Sequence, residues 1–258
     1  MRREDARPEH FEATRRALSE VSGILEDFPQ AVIVGGNVPY LLVPQDRDPH
    51  EGTVDIDVVL DRNGLGSESD WTLHEHLMRA DFQQDKKRPF RFEKYIDGLP
   101  VLLELLAGGE PAQDSLDYIA SEDIYVSILE GMEVALKKPV EITLADGCVV
   151  RAASIPAFFA MKATALEKRD PSKIAKDAYD IVYCLRNYPG GLEAIVQTYR
   201  PFEDQPFVEP SLRLLAALFA KDSSLGPVAY ASRGHEEDRA LLAREARERV
   251  NDLLDRLP

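Results

Sequence analysis

The sequence predicts an α+β protein, with strands and helices mixed over residues 1–152 and helices alone over residues 153–258. Three observations carry that division. Short apolar runs bounded by Gly, Pro, Asn or Asp recur as far as residue 151, several with period-two alternation. From Ser154 onward apolar residues recur at threes and fours, almost without interruption. With 258 residues and 44% hydrophobic composition, the chain can bury two cores of ordinary size.

The elements follow in order. Residues 8–28 place Phe11, Leu18, Val21, Leu25 and Phe28 on one helical stripe, which Pro29 ends. "AVIVGG" at 31–36 is a short buried strand, and Asn37 can cap a helix through "NVPYLLV". A polar loop covers 44–53, and "VDIDVVLD" forms the second strand. Residues 70–82 have helical spacing through Trp71, Leu73, Leu77 and Met78. Strands at 90–96 and 100–107 meet at the turn "DGLP", and 119–151 holds further β structure with a hairpin turn at Asp146-Gly147. Ser154 can cap the helix that follows it, and Asp170-Pro171 opens the next. Two more helices are predicted at 210–221 and 235–257. The last carries an apolar stripe of Leu242, Ala246, Val250, Leu253 and Leu257, either to close the domain or to meet a partner.

Composition narrows the function. The net charge of −15, from 46 acidic against 31 basic residues, repels nucleic acid at long range and argues against a non-specific DNA or RNA coat. A local basic pocket for one RNA end or a nucleotide stays compatible with it. No stretch approaches the roughly 20 apolar residues of a membrane span, and residues 1–16 lack the apolar core of a secretory signal. A cytoplasmic protein with no membrane partner is expected. The two cysteines, Cys148 and Cys184, have no metal-ligand spacing and are expected as reduced, buried thiols, with a single disulfide left open.

The carboxylates in the second strand need a reason. Strand alternation puts Asp55 and Asp57 on one face and Val54, Ile56 and Val58 on the other. Two acids on one face repel each other, and a divalent cation is the usual compensation, with hard oxygen ligands favouring Mg²⁺ or Mn²⁺. A solvent-facing edge strand gives the same pattern. Three features favour the cation: Gly35-Gly36 breaks the preceding strand, a capped helix follows the glycines, and Glu104 stands inside "VLLELL", where an uncompensated charge is costly. A Gly-Gly turn lets backbone N–H groups approach phosphate oxygens, and the next helix offers its positive end. A tight strand-to-helix turn needs glycine in any case. Turn and acidic strand together describe a site for a nucleoside triphosphate and its metal.

Those residues resemble the nucleotidyltransferases of the DNA polymerase β superfamily, whose signature is an apolar strand, a Gly-Gly or Gly-Ser turn, a helix, a D-x-D or D-x-E strand and a third acid from a later strand. The stretch "FFAMKATALEKRDPSKIAKDAYDIVYCLR" further resembles abortive-infection AbiEii-like toxin nucleotidyltransferases, with a lysine on one helix and a K-D-x-x-D run on the next. The resemblance covers roughly residues 30–186. It implies a minimal polymerase-β-like nucleotidyltransferase domain, a mixed sheet with flanking helices, followed by a helical domain. It implies Asp55, Asp57 and Glu104 as metal carboxylates, Gly35 and Gly36 as the phosphate turn, and Asn37 and Lys173 as nucleotide-binding residues. Lys162 and Lys176 would neutralise the leaving pyrophosphate, while Asp177 and Asp180 orient them or contact the acceptor. The implied reaction moves a nucleoside monophosphate from an NTP to an acceptor hydroxyl. The acceptor is a transfer RNA 3′ end in toxin relatives and a small hydroxylated molecule in resistance relatives; a non-catalytic nucleotide-binding relative is the alternative. An antitoxin partner is also implied. Two departures stand out: eighteen residues, 37–54, separate Gly36 from Asp55, and the third acid is Glu where Asp is commoner.

Asp177 and Asp180, three apart, share a helical face with Cys184 one turn on, and Arg169 lies seven residues after Lys162. On a generic helix Lys176 and Asp177 would be solvated; Lys162, flanked by apolar residues, suits a buried or cleft-lining amine. His74 and His76, two apart on a helix, face different ways and form no metal pair. The basic run "KKRPFRFEK" at 86–94 suits either an RNA or triphosphate contact or a solvated strand edge that blocks pairing.

Overall fold

The computed structural model describes residues 8–46, 48–65, 70–110, 115–168 and 171–257. The chain forms two compact units: residues 1–41 with 51–154, and residues 42–50 with 155–258. The architecture is α+β, a mixed sheet with flanking helices in the first unit and helices in the second.

In the first unit, α1 (Pro8–Leu25) buries Ala13, Ala17, Leu18, Val21 and Leu25 at helical spacing, while Phe11 is only half-buried. It covers a sheet ordered β3-β4-β5-β2-β1-β9-β8. The strands are β1 (Ala31–Val34), β2 (Asp55–Leu60), β3 (Gln83–Gln84), β4 (Arg91–Ile96), β5 (Leu99–Gly108), β8 (Val140–Thr143) and β9 (Val149–Ala152). Two further strands, β6 (Leu116–Ile119) and β7 (Ile124–Leu129), attach to the far end of β5. The pairs β2–β5, β1–β9 and β5–β7 are parallel, and the remaining pairs are antiparallel. Ile56, Val58 and Leu60 of β2 join Leu103 and Leu105 of β5 in the core under α1. A one-residue slip would bring Asp55 and Asp57 into that core, so the register is strongly fixed.

Local chemistry sets the ends of these elements. The β4–β5 turn is Asp97-Gly98, both at positive φ, as the favoured two-residue hairpin requires. Helix α3 (Leu73–Arg79) starts at Thr72, whose hydroxyl accepts from Glu75 N in a capping box. That start leaves Trp71 before the helix, and the buried residues are Leu73 and Leu77; Trp71 and Met78 are exposed, contrary to the predicted stripe. Strand β3, two glutamines with no apolar signature, exists because Gln83 and Gln84 pair with Glu93 and Phe92.

The second unit contains α4 (Ile155–Lys168), α5 (Pro171–Asn187), α6 (Gly191–Tyr199), α7 (Val208–Leu218), α8 (Leu225–Ala231) and α9 (Arg239–Leu254). The sequence did not predict α6 or α8. Gly190 and Gly191, both at positive φ, mark a break but sit at the start of α6. In α8 the helix-weakening Gly226 is needed for packing: an added Cβ would stand 2.5 Å from the Phe219 ring. Helix α9 buries Ala243, Ala246, Val250 and Leu253 and packs on α8, α5 and α7, as a domain-closing helix would. Cys184 is buried and Cys148, expected buried, is half-exposed; both are free thiols. No helix among the described residues is long and apolar enough to cross a membrane.

Candidate active site

The acidic face of the sheet is built by register. Asp57 stands opposite Val34 of β1 on one side and Glu104 of β5 on the other, and Asp55 stands opposite Leu102. Residues paired across strands share a face, so Asp55, Asp57 and Glu104 project from the side away from α1, with adjacent strands about 4.8 Å apart. Asp55, Asp57 and Glu104 are half-buried. Beyond them Val59, Val32 and Leu106 are buried, and the 3-10 turn Met132–Leu136 lies against β1, β2 and β5.

The glycine turn meets this row directly. Gly35 has φ +67°, and a Cβ there would lie 2.0 Å from Asp57 Oδ2. Glycine is therefore required twice over: by the left-handed backbone and by a carboxylate oxygen in the space a side chain would fill. Helix α2 (Asn37–Leu42) follows at once. Asn37 is buried and its side-chain Nδ2 donates to Asp55 O at 2.9 Å, tying the helix start to the head of the acidic strand.

Three oxygen-donor side chains on one face, beside the glycine turn, fit a hard divalent cation in donor type. Among the described residues no three acidic, His or Cys side chains already converge as a metal site. Arg91 supplies the reason at Glu104: it stands opposite that residue on β4, and its Nη2 donates to Glu104 Oε1. Arg91 Nε is buried with no hydrogen-bond partner among the described residues. Asp55 and Asp57 are the pair best disposed toward a cation, with Glu104 beside them under the hold of Arg91.

The second unit contains a separate polar cluster in an apolar setting. Lys162 Nζ donates to Asp177 Oδ1 and to Asp180 Oδ2, each at 2.6 Å. Asp180 Oδ1 is shared by Lys176 Nζ at 3.0 Å and His50 Nε2 at 2.9 Å. Asp177, Asp180, His50 and Lys162 are all buried, whereas Lys176 is half-buried and Lys173 exposed. Burial works to raise the Asp180 pKa, but the charges of Lys162 and Lys176 and the His50 hydrogen bond hold it well below the usual carboxylate range. Burial likewise lowers that of Lys162, and Asp180 and Asp177 outweigh it, leaving the ammonium above its ordinary value. Burial, with Asp180 adding to it, pushes the Cys184 thiol well up.

Sequence reasoning missed His50 and Arg91. His50 lies in the predicted polar loop, 130 residues from Asp180, and nothing local marks it. That loop belongs to the helical unit: His50 N donates to Gln45 Oε1 at 2.7 Å, Tyr183 OH to Asp48 O at 2.7 Å and Asn187 Nδ2 to Asp48 Oδ2 at 3.0 Å. The long spacing between Gly36 and Asp55 is thus taken up in part by a strap whose described residues are tied to α5. Arg91 could have been found, because the Asp97-Gly98 hairpin fixes the register that pairs it with Glu104. The rest of the basic run divides: Lys86, Lys87 and Arg88 are exposed on the β3–β4 turn, and Lys94 pairs with Glu20. Ser154 Oγ is buried without a hydrogen bond among the described residues, so it does not cap α4 as expected. His74 and His76 turn apart, toward Asp123 and Asp27. Arg169 and Asp170 lie outside the described residues.

The mixed sheet with its acidic strand, followed by a helical part, is the architecture of a nucleotidyltransferase domain with a helical extension. The family model of the nucleotidyl transferase AbiEii toxins of type IV toxin–antitoxin systems matches residues 47–256, and the chain belongs to that family. The match takes in Asp55, Asp57, Glu104 and the helical cluster with His50, and begins after the glycine turn. No curated protein matches the chain.

Two outcomes follow. Gly35→Ala is expected to cost about 1–2 kcal/mol from the left-handed backbone alone. The displaced Asp57 carboxylate should add an activity loss of about 100-fold, read by urea unfolding and by turnover. The Asp180 carboxylate, lowered on folding, contributes stability above its unfolded pKa of 3.8, lost as pH falls through the folded value. Raised Lys162 contributes below its unfolded 10.5, lost as pH rises through its higher folded value. Between those limits the contributions of these two groups should both be present in full. Asp180→Asn should remove about 3–5 kcal/mol there and weaken the acid limb, measured by urea unfolding followed by circular dichroism across pH.

Proposed function

We propose that this chain is a metal-dependent nucleotidyltransferase that moves a nucleoside monophosphate from an NTP to an acceptor hydroxyl, with an RNA 3′ end, such as that of transfer RNA, as acceptor. The observation that carries the reading is Asp57, whose carboxylate abuts the Gly35 turn on one side and pairs in register with Glu104 on the other. Phosphate turn and acid row belong to one constellation, as a triphosphate site requires. Mg²⁺ or Mn²⁺, held by Asp55 and Asp57 with Glu104, would supply charge neutralisation of the triphosphate and polarisation of its α-phosphorus.

The chain's own groups do the rest. Backbone N–H groups of Gly35 and Gly36 and the start of α2, steadied by Asn37, receive the phosphates. The acceptor oxygen bonds to the α-phosphorus, the bond to the α–β bridging oxygen breaks, and pyrophosphate leaves with that electron pair. Glu104, oriented by Arg91, takes the hydroxyl proton. Lys162 and Lys176 of the helical unit keep the role the resemblance implies, countering charge on the leaving group, with Asp177 and Asp180 orienting them, and Lys173 keeps that of binding the nucleotide. Toxin action under the control of an antitoxin, inside the cytoplasm, is the setting the family suggests.

The test is incubation with Mg²⁺ and each α-labelled NTP, together with total transfer RNA and, separately, an aminoglycoside panel, beside an Asp57→Ala control. Label should pass to RNA with release of pyrophosphate. Asp57→Ala should lower turnover by at least about 1,000-fold while unfolding as the unmutated chain does. Label passing to the cationic drugs alone, which the net charge of −15 would attract, would replace the acceptor. Metal-dependent NTP binding without transfer would leave a nucleotide-binding relative.

A further inference from the structure

We propose that the basic turn at residues 86–88, continued by Arg91, seats the phosphate groups of the acceptor, which makes that acceptor a single-stranded RNA end; this rests on the transfer reading above. The place of each partner follows from strand order within the sheet unit. Strands β4, β5, β2 and β1 lie side by side, so Gly35 stands at one flank of the acid row and Arg91 at the other. Arg91 pairs with Glu104 and Glu104 with Asp57, which puts Arg91 two strand spacings, roughly 10 Å, from Asp57. Phosphoryl transfer runs in line, with the attacking and leaving oxygens on opposite sides of the phosphorus. A triphosphate whose β- and γ-phosphates rest at Gly35 therefore receives its acceptor from the Glu104 flank, where the chain presents Arg91.

That flank is basic in a chain of net charge −15: four of the six residues 86–91 are cationic. Elsewhere in the sheet unit Arg16, Arg62, Lys94 and Arg151 each pair with an acid. Lys86, Lys87 and Arg88 are exposed and, among the described residues, make no ion pair. Arg91 gives Nη2 to Glu104, its Nε has no partner among the described residues, and 21% of its side chain is exposed, so Glu104 does not saturate the guanidinium. The turn is also preorganised. Asp85 N donates to Arg91 O and Arg91 N to Arg88 O, each at 2.8 Å, while Lys87 N and Arg88 N donate to Asp85 Oδ1 at 2.8 and 3.2 Å. The Lys87 N–H holds the Asp85 carboxyl below its usual range; desolvation opposes it, and the Arg88 N–H and the charges of Arg88 and Arg91 add to it. Both guanidinium groups thus lie within electrostatic reach of one carboxylate. Asp85 Oδ1 serves the backbone of the turn and Glu104 serves Arg91, which leaves the side chains of 86–88 to a ligand from outside. Several cations on one rigid turn suit the repeating charges of a phosphodiester chain and repel a cationic small molecule.

The test uses the full chain and a short single-stranded RNA with a fluorescein at its 5′ end and a free 3′-hydroxyl. Binding is followed by anisotropy across salt concentrations without NTP, and transfer to the same RNA is measured beside it. Combining Lys86→Gln, Lys87→Gln and Arg88→Gln removes the charges and keeps the backbone N–H groups that hold the turn. RNA affinity should fall about 10–100-fold at about 0.1 M salt, and the slope of log K against log salt should flatten by about 2. KM for the RNA should rise with it, while urea unfolding stays as in the unmutated chain. Combining Lys86→Arg, Lys87→Arg and Arg88→Lys, which keeps the charges, should restore both affinity and slope. Equal affinity and slope in the glutamine variant, or no RNA binding by the unmutated chain, would overturn the proposal. So would an affinity that falls only in step with lost folded protein. RNA held through the turn by a chain that transfers no nucleotide would uphold the surface and count against transfer instead.

Discussion

An ionised carboxylate has no place in an apolar interior unless several partners compensate it, and the helical unit is arranged around that condition at Asp180. Lys162 reaches it from α4, Lys176 from one turn earlier on α5, and His50 from the strap. Removing one partner from such a cluster is costly because the others stay buried and unbalanced. That explains why so polar a strap is tied to α5 at Asp48 and His50, and why two aromatic residues of α5 lie against its histidine.

In the α/β unit the governing constraint is steric. Asp57 occupies the volume that a side chain on Gly35 would take, and its own position is fixed by β1 on one side and β5 on the other. Asn37 closes the loop by bonding the backbone of Asp55. Turn, helix start and acid row are therefore one rigid piece, the preorganisation that phosphoryl chemistry draws on. Arg91 adds a charge that steadies Glu104 and sets it apart from the two aspartates, a distinction invisible in the D-x-D pattern alone.

Much of this was legible in the sequence because it rests on local rules. Alternation put Asp55 and Asp57 on one face, and the helical spacing of Asp177 and Asp180 put both on the side that meets Lys162. The pairing of Arg91 with Glu104 was within reach through hairpin register. His50 was not, since its partner is 130 residues away and the loop around it has the composition of an ordinary turn. Helices α6 and α8 escaped because glycines near their starts signal breaks, although Gly226 is there to admit the Phe219 ring. Ser154 misled in the other direction: it stands where a cap should be and makes no hydrogen bond among the described residues.

The strap has a consequence for how the molecule is made. The chain enters the helical unit at Leu42, returns to the sheet after His50, and reaches the helices for good only at Ile155. On the ribosome, His50 emerges well over a hundred residues before the carboxylate that will hold it. At the usual pace of synthesis, roughly 5–20 residues per second, the strap waits several seconds for its partner. Its polarity suits that wait, since a segment rich in Asp, Pro and Gln stays solvated where an apolar one would seek the wrong surface. The same threading makes the helical unit discontinuous in the gene: a fragment beginning at Ile155 would lack the imidazole that completes its own interior.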